Sequence, residues 1–262
     1  MVRHRSTTIR AISHPESTTT PPFAGPVQNL LIAALPDADR DRIVSTLDII
    51  PLRLKELLHK PGEPIGHVYF PGGGFCSVVA VLMNGSMVEV ATVGREGAVG
   101  VTAFEGSFVS SATIVQGETD TCYRMTAQTY RQEMDRLGAF HALMARFLQA
   151  FVGTIMQSTA CNAVHKVERR LARWLLMAHD RMGTDEFPLT QEFAAMMLGA
   201  TRPTVTVVAG VLQKAGLITY RRGRVAIVDR ERLESASCEC YAAATSLLQA
   251  VTAVPYRTNG SS

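Results

Sequence analysis

Between residues 189 and 218, apolar side chains recur at helical spacing in two short runs that flank a tight turn. Thr190 and Thr201 each precede one run, where a hydroxyl can cap a helix, and Pro203 suits the first turn of the second. Gly199 allows the sharp reversal between the runs. The pattern predicts two crossing helices, with the outer face of the second left free. The apolar positions are Phe193, Met196 and Met197 in the first run and Val205, Val208, Val211 and Leu212 in the second.

Two strand-like segments, 217–220 and 225–228, follow this helix pair and are joined by Arg221-Arg222-Gly223-Arg224. A cationic hairpin tip beside such a helix is typical of a wing that contacts phosphates. Charge agrees, because residues 165–232 hold 12 Lys and Arg against 7 Asp and Glu, a net of +5, whereas the whole chain carries +3. We therefore expect residues 164–234 to form a winged helix-turn-helix domain that binds double-stranded DNA.

The expected DNA contacts come from both helices and from the wing. Among the exposed residues at the start of the second helix, only Arg202 can make a bidentate contact with guanine. Threonines there suit phosphates and thymine methyl groups, so DNA shape should contribute more than usual to specificity. The predicted DNA-binding residues are Lys166, Thr190, Gln191, Thr201, Arg202, Thr204, Thr206, Arg221, Arg222 and Arg224.

Short β-branched runs separated by Gly and Pro fill the first half of the chain. Their even spacing predicts a small barrel or roll over residues 26–132, and Asn84-Gly85 is a signal for a two-residue hairpin. Two short helical patterns, 26–34 and 39–47, precede the strands. The predicted strands are 68–70, 75–83, 87–93, 99–104, 112–115 and 121–125.

A long helix is predicted over residues 133–163, between the roll and the winged domain. Its apolar stripe has spacings of three and four, with a break allowed near Gly138. A helix buried inside one domain could show the same stripe. This one continues for several turns between two domains, so pairing with a second copy explains it better. We expect a homodimer whose interface contains Phe140, Met144, Phe147, Phe151 and Ile155.

The overall prediction is an α+β fold with a β-roll, a long dimerisation helix and a C-terminal winged helix-turn-helix. Residues 1–25 are rich in Ser, Thr, Pro and Arg and predict a disordered tail. Residues 235–262 predict the rest of a helix over 233–251 and then a polar tail. No segment approaches the ~20 uninterrupted apolar residues of a membrane span. We expect a cytoplasmic protein without a membrane partner.

The five cysteines are scattered and odd in number, which favours free thiols in a reducing cytoplasm. The sequence shows no Cys/His cluster with zinc spacing. Cys238-Glu-Cys240 is too close for an ordinary disulfide or a lone metal site, although a redox or metal role stays open as the alternative. We expect no metal site and no cofactor.

An enzyme finds no support in the sequence. The chain lacks a Ser-His-Asp order, a phosphate-binding Gly loop followed by Lys, and a carboxylate pair with metal-ligand spacing. We therefore expect a protein that acts by binding.

The order of parts resembles the Crp/Fnr superfamily of bacterial transcription regulators over residues 28–232. The motifs that carry the resemblance are Pro61-Gly62-Glu63, His67-Val68-Tyr69-Phe70-Pro71, Gly94-Arg95-Glu96-Gly97 and the segment 189–218. The resemblance implies a homodimer that binds a two-fold symmetric operator and acts with RNA polymerase. It also implies a cyclic-nucleotide-binding-like roll that senses an effector, whose identity the sequence leaves open.

Three departures from the family pattern concern the effector. Ser110 stands where cyclic-nucleotide-binding members have a phosphate-pairing Arg, and residues 97–100 lack their ribose-binding Glu. Iron–sulfur members carry an N-terminal cysteine cluster, whereas the first cysteine here is Cys76. A haem member would need Cys or His ligands, for which Cys76, His59 and His67 are available.

The second helix of the pair also differs from the family pattern. Pro203 and Val207 replace the Glu and second Arg with which activator-type members read bases. A rival to the DNA-binding function is a ligand-binding regulatory module whose C-terminal domain contacts protein. The arginine-rich wing and the localised positive charge argue against it.

The loss of the phosphate-pairing Arg at Ser110 predicts that the protein does not bind cyclic AMP or cyclic GMP, because a buried phosphate needs a positive, bidentate partner. Calorimetric titration of the purified protein with each nucleotide should give no heat of binding. A dissociation constant of about 1 μM for either nucleotide, which corresponds to a binding free energy of about −8 kcal/mol, would contradict the prediction.

Overall fold

The chain forms ten strands and nine helices within residues 26–104 and 111–252, the parts that this computed structural model describes. The strands are β1 (Asp48–Leu52), β2 (Leu57–His59), β3 (His67–Pro71), β4 (Phe75–Val81), β5 (Met87–Val93), β6 (Ser111–Gly117), β7 (Thr119–Thr126), β8 (Glu186–Pro188), β9 (Ile218–Arg221) and β10 (Arg224–Ile227). The helices are α1 (Leu30–Ala33), α2 (Asp37–Val44), α3 (Ala127–Asp135), α4 (Ala139–Val164), α5 (Val167–Met182), α6 (Gln191–Leu198), α7 (Arg202–Lys214), α8 (Arg230–Ala236) and α9 (Cys240–Thr252). The predicted α+β architecture is confirmed. The tails predicted at 1–25 and after 252 lie outside the described residues.

The roll consists of two antiparallel sheets. One sheet has the strand order β1-β7-β3, and the other has the order β2-β6-β4-β5. Apolar side chains of both sheets meet in one core cluster, so the roll has an interior of its own. The first sheet contributes Leu52, Tyr69 and Cys122, and the second contributes Cys76, Val93 and Val115.

Two details of the roll differ from the predictions. The connection between β4 and β5 spans residues 82–86 instead of two residues, because the Asn84 side chain accepts the Ser86 amide at 3.0 Å and forms a turn of its own. Segment 99–104 makes an isolated bridge and then turns instead of forming a strand. Gly100, with φ at 83°, takes the chain out of the extended conformation there.

A break at Leu137 and Gly138 divides the helical region after the roll into α3 and α4, as the sequence allowed. Leu137 has a φ of 53°, which ends the first helix, and α4 begins after Gly138. Helix α4 then runs for 26 residues. At its far end, His165 has extended backbone angles and separates α4 from α5. The hinge between the two parts of the protein therefore lies at this residue.

The inner face of α4 is covered by other parts of the same chain. The predicted dimer interface is therefore wrong for the residues of this face. Phe140, Met144 and Phe147 are at most 1% exposed in the single chain. The ring of Phe140 lies 5.9 Å from that of Tyr130, and Phe147 stacks on Phe151 at 5.7 Å. The sequence argument missed that the roll and the C-terminal helix α9 both reach this face. Phe151 and Ile155 are half-buried at its edge.

By length and composition alone, α4 is apolar enough to cross a membrane, and so is the bent pair of α6 and α7. The apolar character of α4 has another explanation in this fold. Its inner residues, among them Leu143 and Phe147, pack against the roll and α9. A core helix of a soluble protein passes the same test.

The C-terminal segment forms two helices instead of the single one predicted over 233–251. Helix α8 ends at Ala236, and Ser237 follows it and donates its hydroxyl to Glu234 O at 2.8 Å. Helix α9 then packs along α4, where Gly153 leaves room for Leu247. A Cβ atom at position 153 would lie 3.2 Å from Leu247 Cδ1. Helix α9 therefore supports the linking helix.

Helix α5 belongs to the core of the winged domain and to that of the roll. Trp174 lies 6.1 Å from Phe75 of the roll and 6.4 Å from Phe193 of α6, measured between ring centroids. A single cluster of buried apolar residues extends from β4 and β6 through α5 into the winged domain. The two parts of the protein are therefore joined by a continuous apolar contact.

Two buried polar contacts accompany this apolar junction. Trp174 Nε1 donates to Glu89 Oε1 at 2.9 Å, and the Arg181 guanidinium donates to Glu96 Oε1 from Nε at 2.9 Å and from Nη2 at 2.7 Å. Gly94 makes the second contact possible, because a Cβ atom there would lie 2.8 Å from Arg181 Cγ. The buried charges of Arg181 and Glu96 are tolerated because they are paired.

Glu89→Gln should remove a pH dependence of stability. Burial raises the pKa of Glu89 to about 7 against the lowering effects of Ser77, Arg173, Trp174 and Arg181. The folded protein keeps this proton up to about pH 7, whereas the unfolded chain releases it near pH 4.5, so stability falls between these values and stays low above them. Glutamine keeps the acceptor for Trp174 and should be the more stable form above pH 7, by up to about 3 kcal/mol.

Urea denaturation of both proteins at about pH 5 and about pH 8 measures this difference. The control is Glu118→Gln, in the roll, which removes an exposed carboxylate. If wild type and Glu89→Gln lose the same stability between these two pH values, Glu89 is not the source of the pH dependence.

Candidate nucleic-acid interface

Helices α6 and α7 form the predicted helix-turn-helix, with axes that differ in direction by 103°. Thr190 Oγ1 accepts the Phe193 amide at 3.2 Å, and Thr201 Oγ1 accepts the Thr204 amide at 3.4 Å, so both predicted N-caps are confirmed. Gly199 has a φ of 55°, which a side chain would disfavour, and ends α6 at the turn. These local signals set the direction of α7.

The two faces of α7 are clearly divided. Val205, Ala209 and Leu212 are buried against the rest of the winged domain. Val211 was predicted on this inner face but is exposed, as is Val207. The buried face of α7 is narrower than the predicted apolar face. Exposed valines on the outer face can meet thymine methyl groups in a major groove.

Arg202 lies at the start of α7, on the exposed side. Its Nη1 atom donates to Glu192 Oε1 of α6 at 2.8 Å, and both side chains are more than half exposed. Exposed pairs of this kind contribute about 0–1 kcal/mol, so the guanidinium can exchange Glu192 for a base or a phosphate at little cost. Glu192 was not predicted as a partner of Arg202. The contact depends on the turn at Gly199, which brings the two helices together.

Hydroxyl and amide side chains surround this arginine. Thr206 Oγ1 donates to Gln191 Oε1 at 2.7 Å, which links the two helices. The hydroxyls of Thr201 and Thr204 lie 2.9 Å apart. All four are predicted contact residues, and the helix pair brings them to the same region as Arg202.

The wing is the hairpin of β9 and β10, and β8 completes its sheet. Arg222 and Gly223 form its tip with φ angles of 51° and 74°, as a two-residue turn of the primed type requires. Arg221, Arg222 and Arg224 are exposed, and Arg224 pairs with Glu186 of β8. The tip is therefore cationic and open to solvent at Arg222.

The wing is fixed to the start of α6. Leu189 N donates to Gly223 O at 2.8 Å, and Tyr220 Oη donates to Leu189 O at 2.9 Å. Burial raises the pKa of Tyr220 to about 12, so this hydroxyl stays protonated. These hydrogen bonds connect the wing to the helix-turn-helix.

Comparison with known proteins agrees with this geometry. Residues 169–236 match the model of the Crp-like helix-turn-helix domain. A Crp-family transcriptional regulator from Thermus thermophilus has a similar structure, with a TM-score of 0.59 and 22% identity over 72% of this chain and 98% of that one. The chain has the Crp/Fnr fold.

Two other regulators share the Crp/Fnr fold at 16% identity over 73% of this chain. FixK2 from Bradyrhizobium japonicum has a TM-score of 0.57 and is covered to 98%. The c-di-GMP-responsive global regulator CLP from Xanthomonas campestris has a TM-score of 0.56 and is covered to 99%. No curated protein sequence matches the chain. At these identities the likeness concerns the fold.

Lys166 is the one predicted contact residue that lies away from the helix-turn-helix and the wing, and it precedes the matched segment 169–236. It precedes α5 and lines a surface depression together with Arg169 and Ser235. The phosphate position Ser110 lies outside the described residues.

In the roll, the candidate haem ligand His59 makes hydrogen bonds within the protein through both ring nitrogens. His59 is buried, with Nδ1 3.1 Å from Thr113 Oγ1 and Nε2 2.9 Å from His67 O. Burial lowers the pKa of His59 and raises that of Cys76, which is fully buried in the roll.

A cluster of three cysteines and one histidine, which the sequence did not predict, lies beside the Crp-like domain. Cys161, His165, Cys238 and Cys240 come together with their ligand atoms all within 4.8 Å of one another. The sequence shows no Cys/His cluster with zinc spacing, but the fold brings these four residues together. The four residues belong to two segments far apart in the chain, and the signals that could have found them were the close pair Cys238-Glu-Cys240 and the helical i, i+4 spacing of Cys161 and His165.

Proposed function

We propose that the protein is a homodimeric transcription regulator that binds a two-fold symmetric DNA operator in the cytoplasm. A Crp-like helix-turn-helix domain on a Crp/Fnr fold supports the general class. The observation that carries the proposal is that Arg202 of α7 and Arg222 of the wing are both exposed on the helix-turn-helix domain. RNA polymerase is the expected partner in transcription, and the roll is the expected sensor of an effector other than cyclic AMP.

The exposed face of α4 supports dimerisation through a different surface from the stripe predicted first. Val152 and Met156 are 48% and 68% exposed at the middle of the helix. They belong to a row of exposed residues whose spacing alternates between four and three, as in a two-stranded coiled coil. The row consists of Ala145, Gln149, Val152, Met156, Thr159 and Ala163.

A dimer of this kind determines the geometry of the operator. Two α7 helices related by a two-fold axis can enter successive major grooves, about 34 Å apart. The outer face of α7 has one arginine and several threonines and valines, so each half-site should contain a preferred guanine, with the remaining specificity from thymine methyls and DNA shape.

Arg202→Ala should weaken binding to the operator by roughly 1–3 kcal/mol and relax the preference at one base pair in each half-site. Arg222→Ala should weaken binding to every sequence alike, because it removes about one phosphate contact. The slope of log K against the logarithm of the salt concentration should become shallower by ~0.9. Glu192→Ala should tighten binding, since it frees Arg202 and removes a negative charge.

The operator is first selected from random DNA, and titrations follow on operator and scrambled DNA at several salt concentrations. Arg53→Ala, an exposed arginine of the roll paired with Asp120, is the matched control for loss of one charge. If Arg202→Ala weakens both DNAs equally, Arg202 contacts a phosphate. Failure to bind any DNA, with a protein partner captured by α7 instead, would support the rival function.

Val152→Glu combined with Met156→Glu should convert the dimer into a folded monomer, because four carboxylates would then meet across the helix pair. Light scattering gives the mass and circular dichroism checks the fold. Met83→Glu, at an exposed apolar residue of the roll, should leave the dimer intact. A folded double variant that remains a dimer would place the interface elsewhere.

A further inference from the structure

The four clustered ligands lie where three parts of the chain meet. Cys161 is in the last turn of α4, and His165 follows one turn later at the hinge before α5. Cys238 lies in the connection between α8 and α9, and Cys240 is the first residue of α9. The Sγ atoms of Cys161 and Cys238 lie 3.5 Å apart, and Cys240 Sγ lies 3.5 Å from His165 Nδ1.

These two distances suit a single tetrahedral ion, and the other pairs of ligand atoms lie within 4.8 Å. Zinc binds thiolate sulfur at about 2.3 Å and imidazole nitrogen at about 2.0–2.1 Å, so neighbouring ligands in its tetrahedron are about 3.5–3.8 Å apart. A cluster with several iron atoms would hold the thiolates on different metals and therefore farther apart. Three Cys and one His complete the coordination shell of a structural zinc site and leave no open position for a substrate.

The surroundings of the ligands resemble those of a metal site. Gln157 Nε2 donates to Cys240 Sγ at 3.0 Å, and His165 Nε2 lies 3.2 Å from Glu239 Oε1. The second contact fixes the histidine with Nδ1 directed at the sulfur, as carboxylates do for metal-bound histidines. The three cysteines are at most 3% exposed, so bulk solvent is excluded from the sulfur atoms.

Two buried arginines provide the charge balance. Three thiolates with one Zn²⁺ carry a net charge of −1, which a buried site must neutralise. Arg170 and Arg173 are buried and lie close enough to Cys161 to act on it electrostatically. The Nε atom of each has no hydrogen-bond partner among the described residues.

We propose that Cys161, His165, Cys238 and Cys240 bind one Zn²⁺ ion that fastens the α8–α9 connection to the hinge between α4 and α5. The ion adds a cross-link where Tyr241 already joins α9 to α5 through its hydroxyl, which donates to Asp180 Oδ2 at 2.7 Å. Because the hinge sets the direction of α5, metal loading fixes the Crp-like domain relative to the linking helix.

The full chain, purified without a metal-binding tag under reducing, anaerobic conditions, should contain about one zinc atom per chain by elemental analysis. Co²⁺ titrated into the chelator-treated protein should give the d–d bands of a tetrahedral ion and a thiolate charge-transfer band. Cys238→Ala should lose the zinc, whereas Cys122→Ala, at a buried cysteine of the roll, should keep it. His165→Cys should keep zinc and shift the Co²⁺ spectrum.

Glu239→Gln tests the site without risk to the fold, because the Glu239 side chain is 75% exposed. It should weaken zinc binding by about 10- to 100-fold in competition with a chromophoric chelator. Iron with labile sulfide, a Cys161–Cys238 disulfide in the protein as purified, or no metal uptake by the wild type would each overturn the proposal. Metal content is measured without DNA, so this result is independent of whether the protein binds an operator.

Discussion

The packing of α5 against two partners at once determines how the rest of the molecule is arranged. Its tryptophan contacts an aromatic ring of the roll on one side and one of α6 on the other. The buried Arg181–Glu96 pair secures the end of the same helix, and an unpaired charge there would be costly. The roll and the Crp-like domain are therefore held together by this helix.

The candidate DNA-binding surface was largely predictable from local sequence. Capping threonines, the glycine at the turn and the arginine-rich hairpin act within a few residues of the backbone that they shape. Thr190, Thr201 and Gly199 have the predicted roles for this reason. The ion pair of Arg202 with Glu192 needed the angle between two helices, which no local pattern contains.

Features that depend on distant segments were missed or assigned to the wrong partner. The stripe of Phe140, Met144 and Phe147 has the same spacing whether its cover is a second copy or its own chain, so periodicity could not decide between them. Strand β1 escaped prediction because Pro51 lies within it. The cysteine cluster joins residues such as Cys161 and Cys238, which are 77 positions apart.

The position of α9 has a consequence for the order in which the protein folds. Leu248 and Val251 belong to the same buried cluster as Phe140 and Phe147 of the linking helix. A ribosome delivers these parts in sequence, so the linking helix emerges with one side uncovered, and its last packing step comes only after α9 has been synthesised. A chain stalled or cleaved before residue 240 would keep that apolar surface open, and this is the kind of surface that chaperones bind.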